Sequence, residues 1–472
     1  MNILKTFTKN DNGDKDWPQI FIIIIVSLAS FNNGTLFAWT SPSIPILTSD
    51  SSHMEPLTVI ECSYFTILSP IGILIAAPLA STLANLIGNK CMIMVMSIPQ
   101  IVAWTLIIFS TSKWELYVSR AVIGIGEAIL FSSVPAYIGE ISTPHVRGVW
   151  GNCVSICFFS GHLFVNIVGS YCSIITTAVI FIWLPFVVAI LVHFFPESPH
   201  YYLRKSEMEK AKRSLQLLRW REDVNEELHT FADSVQGRRI GTWKELFIVA
   251  NNRTGMIIAI ITKGFQPFCG YAVIAFYNQY IFQAAGGTLS ASESAITYSG
   301  LQIAFVIIFL FFCERIGRRR ALIFSSLGCA VAMIIVAVYF YINLNALFDI
   351  TLFNWVPLLG LILYVLSFSF GLSTLPTLML SEVIAHSIKN YALCVINQVY
   401  AVVLLASSAV FNVLNSKYSI YSPFCFYAVC NVIAVIVFYI QIPETKGKTL
   451  DEIQQHIKNT KAKHKKKACT NI

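Results

Sequence analysis

Three ionisable residues stand in stretches of chain that are otherwise apolar: Arg120, Glu127 and Lys263. Charge at membrane depth is costly unless it is paired or functional. Arg120 and Glu127 are seven residues apart, two turns along one helix face. The chemistry open to them is a structural ion pair or a proton relay through Glu127, and the ion pair is the expected arrangement. Lys263 lies about two turns inside its own apolar stretch. No His or Cys set has metal-ligand spacing and no nucleophile stands beside a base, so neither an enzyme nor a bound cofactor is expected. Gly124-Ile125-Gly126 falls inside an apolar run and fits small-residue helix packing better than a nucleotide loop. The twelve cysteines sit mostly in apolar runs or near one set of helix ends and read as packing residues.

The elements that must hold these groups follow from composition. Of 472 residues 56% are apolar and 12% charged, about half the usual share of ionic groups in a soluble domain, roughly 25%. Soluble enzyme folds and nucleic-acid-binding folds are therefore disfavoured, and the bilayer is the expected partner. Runs such as Ile20 to Ala29 and Val179 to Phe195 lack the period-2 alternation of a barrel strand, so the spans are helices. Reading about 20 residues per span predicts twelve, near 18–39, 61–84, 91–110, 114–138, 149–172, 174–194, 254–283, 291–313, 320–343, 353–380, 392–414 and 421–441. The first is too long for a signal sequence and lacks a small-residue cleavage site, so it is expected to stay. Of 33 Lys and Arg, 29 fall in the N-terminal tail, the loops after even-numbered spans and the C-terminal tail, which places both termini in the cytoplasm. The last four residues, Cys469 to Ile472, outline a prenylation box whose middle residues are not aliphatic.

The organisation expected is a tail (1–17), a six-helix half (18–195), a linker with short helices (196–253), a second half (254–441) and a basic tail (442–472). The halves repeat. Phe195-Pro196-Glu197-Ser198 returns as Ile442-Pro443-Glu444-Thr445. Glu140 with Arg147 returns as Glu382 with Lys389, and the loop Asn85 to Lys90 returns as Glu314 to Arg319. Related halves with a site between them are the architecture of an alternating-access transporter.

The motifs Arg120, PAYIGEISTPHVRG (135–148), PESP (196–199), ERIGRRR (314–320) and PETKGKTLDEI (443–453) occur in this order. With them the chain resembles the sugar porter family of the major facilitator superfamily over nearly its whole length. The WTSP after span one (39–42) is similar to that of insect facilitated trehalose and glucose transporters. The resemblance implies an all-α membrane protein of twelve helices in two six-helix halves. It implies a gate network at the cytoplasmic helix ends of Glu140, Arg147, Glu197, Glu314, Arg315, Arg318, Arg319, Glu382, Lys389 and Glu444, able to pair across the halves in one state and part in the other. The acid of the family's Asp-Arg-x-Gly-Arg-Arg is here Asn85, so the network should be lopsided.

A sugar is neutral, so its site needs uncharged donors and acceptors and aromatic faces on helices broken by Gly or Pro. By resemblance Gln266, Gly270, Phe276, Tyr277 and Asn278 of span seven and Gln302 of span eight line the sugar path, and Gly371 with Pro376 breaks span ten. Five other family positions are changed, to Ser155, Pro267, Ala272, Thr377 and Tyr400. The other expectation for Gln266 and Gln302 is a hydrogen bond from helix to helix inside the bundle. Proton-coupled members carry an Asp where Leu36 stands, two residues after Gly34, so a uniporter for glucose or trehalose-like sugars is expected. The alternatives are proton symport through Glu127 and a transport-poor sugar sensor. The protein is expected to be a monomer in the plasma membrane that binds no nucleic acid.

Overall fold

The computed structural model describes residues 16–50, 52–236, 243–286, 289–345, 353–384 and 388–444. Every regular element among them is a helix, and twelve are long and apolar enough to cross a bilayer. Six, from Trp17–Leu47 to Ile174–His193, precede the linker, and six, from Asn252–Phe276 to Tyr421–Gln441, follow it. The C-terminal PETKGKTLDEI beyond Glu444 and the Cys469 box lie outside the described residues.

Local sequence sets where the helices begin. Spans two, four and eight each open on a capping box: Thr58 with Glu61, Ser112 with Glu115 and Ser290 with Glu293, each hydroxyl and carboxylate meeting backbone N–H groups of the first turn. Spans three and nine open instead on Gly88 (φ +94°) and Gly317 (φ +93°). Lipid tails give helices no apolar reason to associate, so close backbone approach does the work. Gly72 and Gly124 meet face to face between spans two and four, where a β-carbon would strike Ala121 or Ser69 carbonyls. That is a packing role for Gly124.

The first span departs from the expected 18–39. Helix Trp17–Ala38 breaks at Trp39 and resumes as Thr40–Leu47. Pro42 falls in the first turn of the new segment, where no intrahelical N–H bond is required. Span seven is cut twice, into Ala250–Phe268, Tyr271–Phe276 and Asn278–Ala285. Span ten is cut between Phe370 and Leu375, as Gly371 and Pro376 imply.

The linker forms helices Pro199–Arg204, Met208–Arg219, Asn225–Gln236 and Trp243–Ile248. A small core of Ala211, Leu215, Val224 and Leu228 joins them. Arg219, 2% exposed, ties this unit to the bundle, donating to both Glu227 oxygens (2.7–3.1 Å) and to the Ile141 carbonyl (3.0 Å) at the end of span four. Below, the end of the bundle that carries this unit is the linker end.

Candidate functional site

The two halves are held together at the end far from the linker. Thr40 Oγ1 of span one donates to the Phe276 carbonyl of span seven (3.0 Å). Asn166 Nδ2 donates to Ser299 Oγ (3.3 Å) while its Oδ1 accepts from Ser41 (2.7 Å). Gln279 Nε2 donates to Ser170 Oγ (2.8 Å), and Tyr277, held by Asn412 (2.8 Å), lies 3.5 Å from Thr66 Oγ1. Phe276 also stacks on Phe37 at 4.5 Å.

Deeper along the same seam runs a column of near-parallel rings drawn from both halves. Phe37 and His162 stack at 5.5 Å, His162 and Tyr271 at 6.1 Å, and Tyr271 and Phe368 at 4.6 Å. The sequence reading missed His162, Tyr271, Phe37 and Phe368. A lone histidine in the apolar run of span five was the available signal. Gly270, in the left-handed region at φ +93°, makes the bend that presents Tyr271; a β-carbon there would meet Met333 and the Tyr427 ring.

Toward the linker end lies Lys263, 8% exposed. Its Nζ donates to Gln266 Oε1 (2.7 Å) and Thr377 Oγ1 (3.3 Å) and sits over the rings of Tyr400 (4.8 Å) and Phe131 (5.7 Å). Phe131 is on span four of the first half; the others are on spans seven, ten and eleven. The orientation of Gln266 follows from its other end, where Nε2 donates to the Leu372 carbonyl (2.9 Å) in the break of span ten. Three of the expected substrate residues, Gln266, Thr377 and Tyr400, are therefore gathered around Lys263. Gln266 does make the helix-to-helix bond considered above. Gln302 is 1% exposed and its Nε2 has no protein partner; Asn278 Oδ1 is likewise buried without one. Ser155 is half-buried on span five.

The expected Arg120–Glu127 ion pair does not form. Arg120 turns toward the break in span one, where Nη1 donates to the Leu36 carbonyl (2.8 Å) and the guanidinium lies over Trp39 (4.7 Å). The break offers an oxygen and a ring face close by, whereas Glu127 is two turns away, about 10 Å along the axis. Glu127, 1% exposed, accepts from Ser69 (2.9 Å) through one oxygen, and the other has no partner.

The gate residues that are described make their printed bonds within their own halves. Glu197 accepts from the Lys90 and Ser198 N–H groups (3.2 and 2.9 Å), and Glu444 accepts from the Arg318 N–H (2.9 Å). The two contacts are mirror copies: Gly88 and Gly317 lack the β-carbon that would strike the Glu197 or Glu444 carboxylate. Burial raises the Glu197 carboxyl above its ordinary value although N–H donors oppose this. Glu140 accepts from Asn89 (3.3 Å), Arg147 donates to the Gly139 carbonyl (3.2 Å), and Arg319 donates to the Tyr439 carbonyl and covers its ring (5.0 Å). The side chains of Glu314, Arg315, Glu382 and Lys389 lie outside the described set.

Comparison with known proteins gives a consistent picture. The family described as sugar (and other) transporter matches residues 30–457. The facilitated trehalose transporter Tret1 of Apis mellifera ligustica is 27% identical, covering 93% of this chain and 88% of that protein. The sugar transporter ERD6-like 6 of Arabidopsis thaliana is 29% identical, covering 93% and 91%. Among solved structures, the proton:xylose symporter XylE bound to 6-bromo-6-deoxy-D-glucose superposes with a TM-score of 0.77 at 19% identity, covering 93% of this chain and 99% of that one. The inward open conformation of XylE from E. coli gives 0.72 at 18%, covering 92% and 99%. At these identities the likeness is one of fold.

Proposed function

The chain belongs to the sugar porter family of the major facilitator superfamily, and from that premise we propose that it is a facilitative carrier moving sugars such as glucose or trehalose by alternating access. One observation carries the reading. The halves are bonded to each other at the far end, while Thr377, which meets Lys263 at the seam, is exposed. A seam closed at one end and wetted to mid-depth from the other is one of the two states such a carrier must visit. The six-helix halves, 18–195 and 254–441, are the moving units, and the gate residues pair across them when the far end opens. The surplus of Lys and Arg at the linker end supports cytoplasmic termini, in a monomer in the plasma membrane. The reading is a carrier and not an enzyme.

Downhill transport is supported by Leu36. Arg120 is satisfied there by a backbone carbonyl and a ring face, with no carboxylate to titrate. A second reading, proton symport, is favoured by Glu127, whose buried carboxyl has one neutral donor and no cation. An ionised carboxylate so placed is costly, and a protonated one is not.

Uptake of labelled glucose, trehalose and xylose in cells lacking their own porters, with and without a pH gradient, tests both. Uptake indifferent to the gradient supports the uniporter, and acid stimulation lost in Glu127→Gln supports symport. No uptake of any sugar refutes the proposal.

A further inference from the structure

We infer that the central site takes a sugar acid, a polyol bearing a carboxylate, with Lys263 as its counter-ion; this rests on the seam being the substrate path. The environment of the Lys263 Nζ is built for a cation. It contains an amide oxygen at 2.7 Å, a hydroxyl oxygen at 3.3 Å and two ring faces at 4.8 and 5.7 Å, each offering negative partial charge. Gln266 cannot turn its amide round without losing the bond from Nε2 to the Leu372 carbonyl. Its acceptor therefore stays on the lysine, and its role is to position Lys263.

What this environment lacks is an anion. Among the described residues the ion pairs are Lys113–Glu61, Lys210–Glu207 and Arg219–Glu227, and none involves Lys263. A 92%-buried ammonium with partial charges but no counter-ion is an unbalanced charge at membrane depth, which a protein keeps where a ligand completes it. The ammonium has three N–H donors and two are used. The third is free for a carboxylate, which Thr377 on the wetted side of the seam lets approach.

Neutral groups at the same depth argue for a polyol attached to that carboxylate. Lys263, Gln302 and Asn33 lie 13, 14 and 16 residues from the linker-side ends of their helices, Ala250, Ile316 and Trp17. At 1.5 Å per residue that is about 20–24 Å for all three. Asn33 is one turn from Phe37, and Gln302 is one turn from Ser299, both of which touch the opposite half. Both Asn33 amide atoms and Gln302 Nε2 are buried without protein partners. These are hydroxyl-binding groups facing a cation across one seam.

The test uses the full chain, purified and reconstituted in proteoliposomes without a pH gradient. Labelled glucose, labelled glucuronate and labelled acetate are compared for uptake and mutual competition. Glucuronate is expected to compete about 10- to 100-fold better than glucose, the worth of one charge-assisted contact, and acetate, lacking hydroxyls, poorly. Lys263→Gln should abolish the preference while glucose uptake persists, and Lys263→Arg should keep it. Because a substituted chain could misfold, the thermal shift of the wild type with each solute is read in parallel; glucuronate should stabilise more than glucose. Glucose taken up in preference to glucuronate, or a preference unchanged in Lys263→Gln, overturns the inference and leaves the sugar carrier standing. Absence of binding and uptake for both sugars overturns the two together.

Discussion

Replacing Thr40 by valine should unlatch the far end of the seam. The substitution keeps the shape of a side chain that is 1% exposed and removes only its hydroxyl, which donates to the Phe276 carbonyl across the halves at 3.0 Å. A buried hydrogen bond contributes about 1 kcal/mol net, and leaving the acceptor unsatisfied raises the loss to about 1–2 kcal/mol. The bond joins groups that separate when the far end opens, so the whole loss falls on the closed state. The population of the open state should then rise about 5- to 30-fold. Cys62 reports it. This thiol is 0% exposed and lies one turn before Thr66 on the face of span two that meets Tyr277. Its modification by a membrane-impermeant maleimide, read by peptide mass spectrometry, should accelerate by the same factor while the open state is the minor one. Thr48→Val is the control, because Thr48 bonds only to carbonyls of its own helix. If Thr40→Val and Thr48→Val both label at the wild-type rate in folded protein, the Thr40 bond does not hold the seam and the reasoning fails.

Two further outcomes concern the linker. Arg219→Met removes the bonds to Glu227 and the Ile141 carbonyl; with Glu227 25% exposed, undocking should become easier by about 2–3 kcal/mol, seen as faster proteolysis between Arg204 and Gln236, and unchanged cleavage would refute the docking role. His200 packs on Phe231 (4.6 Å), and burial holds it below the ordinary value of 6.5 although Glu140 and Glu227 oppose this. Its docked form is neutral and its released form takes a proton at higher pH, so linker stability should be full above 6.5 and fall as pH drops through and below it. Cleavage should therefore quicken from about pH 7.5 to about pH 5.5 in the wild type and stay flat in His200→Phe.

The spans and the repeat were legible because hydropathy and motif spacing are one-dimensional properties. Span lengths suffer most where a proline sits in the first turn of a resumed helix, as Pro42 does, and reads in sequence as the end of the span. The site was less legible because its contacts are set by side-chain direction across broken helices. Seven residues placed Arg120 and Glu127 on one face, yet nothing in the sequence showed that the Leu36 carbonyl and the Trp39 ring would be nearer to the guanidinium. Gln266, Thr377 and Tyr400 could be named as neighbours, but not the fact that they meet at Lys263, since that depends on how the break at Gly371 turns span ten. The ring column joins residues 37, 162, 271 and 368 from four spans and has no local signature.

The paired contacts of Gly88 with Glu197 and Gly317 with Glu444 bear on how the chain is made. Each closes a loop of more than a hundred residues, 107 from Lys90 to Glu197 and 126 from Arg318 to Glu444. During synthesis the first clasp becomes available once residue 197 has left the ribosome, before any of the seventh helix exists. The second must wait for nearly the last described residue. The leading six helices can thus set as a unit in the bilayer and serve as the surface against which the later six are fitted. A chain cut short just before Glu444 would keep its first clasp and lose only its second.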